Sequence, residues 1–113
     1  MDNSKLKNKK CKIIKKTESP FNSTEVEEML HKINKEWQNL NSSKIKRTFI
    51  CKNFLEAVKI INKIAEIVDP EDHHPDISLY NYKYLDIVLT THIINGLSEN
   101  DFIIASKIDQ ILN

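Results

Sequence analysis

The chain predicts an α+β fold with element order α-β-β-α-β-β-α, a four-stranded antiparallel sheet with the helices packed on one face. Three observations predict it. Apolar residues recur every three or four positions in three separate segments, each opening on a residue that can cap a helix. Between those segments lie two pairs of short alternating runs, each pair joined by a polar turn. One Gly and three Pro in 113 residues leave few forced turns, and the length suits one domain.

Residues 1–20 carry Lys5, Lys7, Lys9, Lys10, Lys12, Lys15 and Lys16, with Ile13-Ile14 as the apolar pair and no lasting period. They read as a mobile basic extension outside a single domain of residues 21–113. Solvated lysines are the plain reading; a targeting or phosphate-binding arm is the functional one. The first helix is expected from Thr24. Thr24-Glu-Val-Glu27 fits a capping box, and Val26, Met29, Leu30, Ile33 and Trp37 then form one stripe. Trp37–Leu40 and Lys44–Cys51 read as strands around Asn41-Ser42-Ser43, with Ile45, Arg47, Phe49 and Cys51 on one face.

Asn53 can cap the next helix, with Glu56 three residues on. Phe54, Ala57, Val58, Ile61, Ile64, Ala65 and Val68 give the strongest periodic signal in the chain. Asp69-Pro70 ends that helix, because the residue before proline is pushed out of helical dihedrals. Ile77–Tyr80 and Tyr84–His92 form the second strand pair about Asn81-Tyr82-Lys83. Leu85, Ile87 and Leu89 point one way; Asp86, Val88, Thr90 and His92 point the other, which sets His92 on the free face at a strand end. Asn95-Gly96 is a turn, Ser98-Glu-Asn-Asp101 a second capping box, and Phe102, Ala105, Ile108 and Leu112 the last helical stripe.

A net charge of +1 gives no electrostatic case for nucleic acid or an acidic partner. No apolar run approaches a membrane span and no leader-like apolar segment follows the N-terminus, so the expected location is cytoplasmic, with the nucleus as the alternative. Cys11 and Cys51 are too isolated for a disulfide framework and read as reduced thiols.

The candidate chemistry lies in residues 69–101. Three of the four histidines are here: His73 and His74 in the loop after Asp69-Pro70, and His92 beyond the last strand. Imidazole takes and gives protons near neutral pH, so three in one pocket make a proton-transfer device or a metal site. Adjacent His73 and His74 cannot easily aim both rings at one ion, and no Cys or Glu-x-x-His accompanies them, which disfavours metal. His31 falls off its helical stripe and reads as solvent-facing.

Spacing narrows this further. Asp69, three residues, His73-His74-Pro75, an aromatic at Tyr82, nine residues, His92 and then Asp101 make up a pattern that resembles the pterin-4a-carbinolamine dehydratases, from about Trp37 to Ile111. The chain departs from it at Asp76-Ile77, where many members have an acidic residue followed by Trp, and the interval to Tyr82 is long. The resemblance implies dehydration of a 4a-hydroxytetrahydropterin to quinonoid dihydropterin in tetrahydrobiopterin recycling. His73 and His92 would be the acid–base pair, and His74 would contact the pterin. Asp101 would orient an imidazole, and Asp72, Thr91 and, more weakly, Asp69 would support the pocket. Asp101 also has a purely structural reading at the third position of a helix cap, and Tyr82 reads as hairpin structure before pterin stacker. The step is redox-neutral, so no cofactor or metal is implied. The resemblance also implies homodimers or homotetramers. One member of the family doubles as a dimerisation cofactor for a homeodomain transcription factor, so a protein-binding module is the alternative function.

Overall fold

The computed structural model describes residues 4–112. Its elements are α1 (Ser4–Lys7), α2 (Ser23–Leu30), β1 (Gln38–Leu40), β2 (Lys44–Ile50), α3 (Phe54–Val68), β3 (Asp76–Tyr80), β4 (Tyr84–Leu89) and α4 (Glu99–Leu112). Short 3₁₀ turns lie at Asp69–Glu71 and His92–Ile94. The four strands form one antiparallel sheet in the order β1-β2-β4-β3, with β2 and β4 in register from Ile45 opposite Leu89 to Ile50 opposite Tyr84. The expected fold class therefore holds, with the single helical turn α1 added in front.

Alternation sorts the sheet into two faces. Ile45, Leu85, Ile87 and Leu89 are fully buried, with Phe49, Ile77 and Leu79 partly so. On the other face Thr48 donates to Asp86 at 2.7 Å, Lys46 stands 3.5 Å from the same carboxylate, and Tyr80 stacks on Tyr84 with ring centroids 5.5 Å apart. On α4 the predicted stripe is buried, and so are Asn100, Asp101, Ser106 and Asp109, because α4 packs against both α3 and α1.

Several local expectations are corrected. The α2 capping box is Asn22–Glu25, two residues ahead of the Thr24–Glu27 pair: Asn22 accepts from the Glu25 amide at 2.8 Å and Glu25 accepts from the Asn22 amide at 2.9 Å. The helix ends at Leu30, short of Ile33 and Trp37, although both are buried. Asp109 of α4 intervenes: its carboxylate accepts from the Asn34 amide at 2.9 Å, the Trp37 indole at 2.8 Å and the Arg47 guanidinium at 2.6 Å. Those bonds fix residues 31–37 as a loop. Helix α3 buries Ala57, Ile60, Ile64 and Val68, while Phe54 and Ala65 are exposed. A helix this rich in isoleucine offers two overlapping stripes, and packing selects the one through Ile60.

Strand β4 stops at Leu89, so His92 does not lie on the free sheet face. Thr90 leaves the ladder because its hydroxyl donates to the Ser43 carbonyl at 2.7 Å. Thr91 then pairs with Gly96, closing a small loop whose first residue is His92 and whose Asn95 takes a left-handed conformation. Gly96 is required there, since a Cβ would sit 2.5 Å from Pro20 Cβ.

Residues 1–20 were expected to be a mobile extension, of which residues 1–3 lie outside the described residues. From Leu6, which is buried in the core, through Lys12 the segment is instead docked on the body of the protein. It has no ladder or long helix to betray it in sequence; its contacts are made through side chains of distant elements.

The Arg47–Asp109 pair is nearly buried, and removing one partner of such a pair strands a charge. Asp109→Ala should lower the unfolding free energy by about 3–5 kcal/mol, read as a shift in urea midpoint with unchanged slope.

Candidate active site

The C-terminal end of β4, the loop after α3 and the N-terminal arm enclose a cavity of about 410 Å³. Its walls include His73, His74 and His92 together with Asp72, Thr91, Ile93, Asn100 and residues 11–14. The three histidines thus meet, as their spacing predicts, but at the end of the sheet.

His73 is brought in by the chain reversal after α3. The helix gives way to the Asp69–Glu71 turn, and Asp72 adopts a left-handed conformation that turns the chain toward β3. Behind His73 lies Asp101, with none of its surface exposed. Its carboxylate accepts from His73 Nε2 at 2.6 Å, from the Thr91 hydroxyl at 2.7 Å and from the Ser98 amide at 3.0 Å. The last of these is the reverse half of the predicted capping box. The Ser98 hydroxyl has turned away from the helix and pairs with Thr91 at 2.8 Å. The cap bond and a bond to an imidazole therefore coexist at Asp101, and the imidazole it holds is His73, although His92 is nearer in sequence. Since a carboxylate only accepts, His73 donates through Nε2 and keeps Nδ1 for other partners.

His74 is half exposed. Its Nε2 stands 3.7 Å from the exposed Asp69 carboxylate, a geometry worth little in water. Asp69 itself does not line the cavity. His92 is exposed at the start of its 3₁₀ turn. Tyr82 is an exposed hairpin residue with φ 56°, at the end of the β3–β4 hairpin remote from the cavity. His31 is exposed at the end of α2, its Nδ1 2.7 Å from the Glu27 carbonyl. Among the described residues no group of three or more His, Cys, Asp or Glu is placed to hold a metal ion, and no helix is long and apolar enough to cross a membrane.

The cavity-lining residues that sequence reasoning missed include Cys11, Lys12, Glu71 and Asn100. Glu71 accepts from the Cys11 amide and from Lys107 Nζ, both at 2.7 Å. Burial pushes the Glu71 carboxyl up, but the Lys107 hydrogen bond, the Cys11 amide and the Lys107 charge outweigh it and hold the group below its ordinary value. Its contribution to stability is present above the unfolded pKa and is lost as pH falls through the lowered folded one. The Cys11 thiol is pushed up to about 12 by burial and by the Glu71 charge. No motif flags these groups, because each is defined by a partner at least 36 residues away.

Comparison with known proteins gives the family. The family model described as pterin 4 alpha carbinolamine dehydratase matches residues 19–111. The chain belongs to the pterin-4a-carbinolamine dehydratase family. It is 38% identical over 110 residues to a Legionella pneumophila protein named "Putative pterin-4-alpha-carbinolamine dehydratase", covering 96% of each chain. A Nitrosomonas europaea protein of the same name is 40% identical over 106 residues, covering 94% of this chain and 92% of its own. A solved structure described as a transcriptional coactivator/pterin dehydratase from Brucella melitensis superposes with a TM-score of 0.77 at 29% identity, covering 84% of this chain and all of that one. The Legionella match takes in nearly the whole chain, so the N-terminal arm is shared with a dehydratase-family relative.

A thiol titrating near 12 is almost wholly protonated at pH 8, and the thiolate is the reactive form. Iodoacetamide at pH 8 should therefore modify Cys11 at least ~100-fold more slowly than an unperturbed thiol. Peptide mapping by mass spectrometry measures the rate.

Proposed function

We propose that the protein dehydrates a 4a-hydroxytetrahydropterin to the quinonoid dihydropterin, with His73 and His92 as the proton-transfer pair. The observation that carries this reading is the convergence of His73, His74 and His92 on one cavity, with Asp101 buried behind His73, in a chain of this family.

The chemistry asks little beyond placed proton carriers. The N5–H proton leaves, its electron pair forms the C4a=N5 double bond, and the C4a hydroxyl departs with a proton as water. One group accepts the first proton and another supplies the second, each within hydrogen-bond reach of its atom. His73 is pre-oriented by Asp101, so its free ring nitrogen does not have to be ordered on binding. His92 enters from the 3₁₀ turn closed by Thr91 and Gly96, and His74 contacts the ring and the departing hydroxyl. Thr91 acts through Asp101, Asp72 forms wall, and Asp69 at most biases His74. The step is redox-neutral and calls for no cofactor. Its product feeds tetrahydropterin recycling.

The description of the Brucella structure as a coactivator favours a second role in protein association. The two edge strands, β1 and β3, and the open sheet face are the surfaces available for homodimers, homotetramers or another protein partner.

Formation of quinonoid dihydropterin from synthetic carbinolamine, followed spectroscopically, should be accelerated by the protein. His73→Ala and His92→Ala should each slow it by ~100-fold or more, and His31→Ala should leave it unchanged. Near-wild-type turnover in the first two variants contradicts the mechanism.

A further inference from the structure

We propose that the N-terminal arm, residues 11–14, is a fixed wall of the pterin site, and that Asn100 is the positioning residue that holds it there. This rests on the dehydratase reading and adds a part of the chain that lines the same cavity as the histidines.

The arm has no strand or helix to place it over these residues, yet all four line the cavity. Backbone groups of an irregular segment must find partners elsewhere, and here they find side chains. The Asn100 amide, 3% exposed, grips Lys12 on both sides: it accepts from the Lys12 N–H at 3.0 Å and donates to the Lys12 carbonyl at 2.7 Å. One primary amide thereby reproduces the pairing a neighbouring strand would offer. The Cys11 N–H is taken by Glu71, itself held by Lys107. Cys11 Sγ also approaches the Asn100 carbonyl at 3.7 Å.

Both anchors sit beside the proton machinery. Glu71 is two residues before His73, and Asn100 immediately precedes Asp101. The first turn of α4 therefore sets the distance between the arm and His73. At the rim, Ile13 is 91% exposed and Ile93 54% exposed. These apolar side chains line the cavity and stand uncovered, where a flat heterocycle would cover them. A wall of this kind contributes to binding and leaves the proton transfers untouched, so its loss raises KM with little change in kcat.

The test combines kinetics with the Cys11 thiol as a reporter of arm docking. Asn100→Ala should raise KM roughly tenfold, the scale of one apolar side chain's burial. It should leave kcat within about twofold and speed Cys11 alkylation at least ~10-fold, as expected when a half-buried thiol is released. In the wild type, 7,8-dihydrobiopterin, which cannot undergo the dehydration, should slow Cys11 alkylation further. Ile13→Ala changes an exposed side chain and leaves the anchors in place, so it keeps the test valid if Asn100→Ala fails to fold; it should raise KM several-fold on the same burial scale. Unchanged KM in the folded variants, with normal wild-type turnover, overturns the wall and spares the dehydratase reading. Absence of wild-type turnover overturns that reading, and the dihydropterin effect on Cys11 then decides the wall by itself.

Discussion

A carboxylate with no exposed surface has to be fully partnered, and Asp101 is that constraint here. Its three donors come from three places in the chain: His73 from the loop after α3, Thr91 from the turn after β4, and Ser98 from the entry to α4. None can move without leaving a buried negative charge unsatisfied, a loss larger than the net gain of an ordinary hydrogen bond. The cavity is thus assembled around an acid that does not itself line it. Thr91 is further tied to Gly96, so the same network fixes the small loop that presents His92.

Helix α4 repeats the device eight residues later. Asp109 gathers Asn34, Trp37 and Arg47, drawing the loop after α2 and the centre of β2 onto the helix. One helix carries two buried acids: the first organises the site, the second the opposite flank. Burial of nearly the whole of α4 follows from the neighbours that these acids, Asn100 and the apolar stripe each recruit.

Much of this was legible in the sequence wherever local periodicity and tertiary packing agree. The alternation of Leu85, Ile87 and Leu89 and the stripe on α4 reported their burial correctly, and the three histidines singled out by their spacing line one cavity. Expectation failed where a side chain overrode a local pattern. The β-like run continues through Thr90 to His92, but the Thr90 hydroxyl bonds to Ser43 and ends the strand. Asn22 and Thr24 both begin acceptable capping boxes, and only the extended backbone at Asn22 distinguishes them. The lysine-rich arm has the composition of a solvated tail; its order comes from Glu71 and Asn100, which no pattern within residues 1–20 encodes. Asp101 pairs with His73, 28 residues away, and not with the histidine nearer in sequence.

The role given to Asp101 is best tested at the imidazole it holds. Long-range ¹⁵N–¹H correlation spectra of the protein labelled at histidine distinguish the two neutral tautomers directly. The geometry predicts that His73 at neutral pH carries its proton on Nε2, donated to Asp101, and that Asp101→Asn disturbs this state. A His73 ring protonated only on Nδ1 in the wild type, or one whose tautomer is indifferent to Asp101→Asn, would contradict the account.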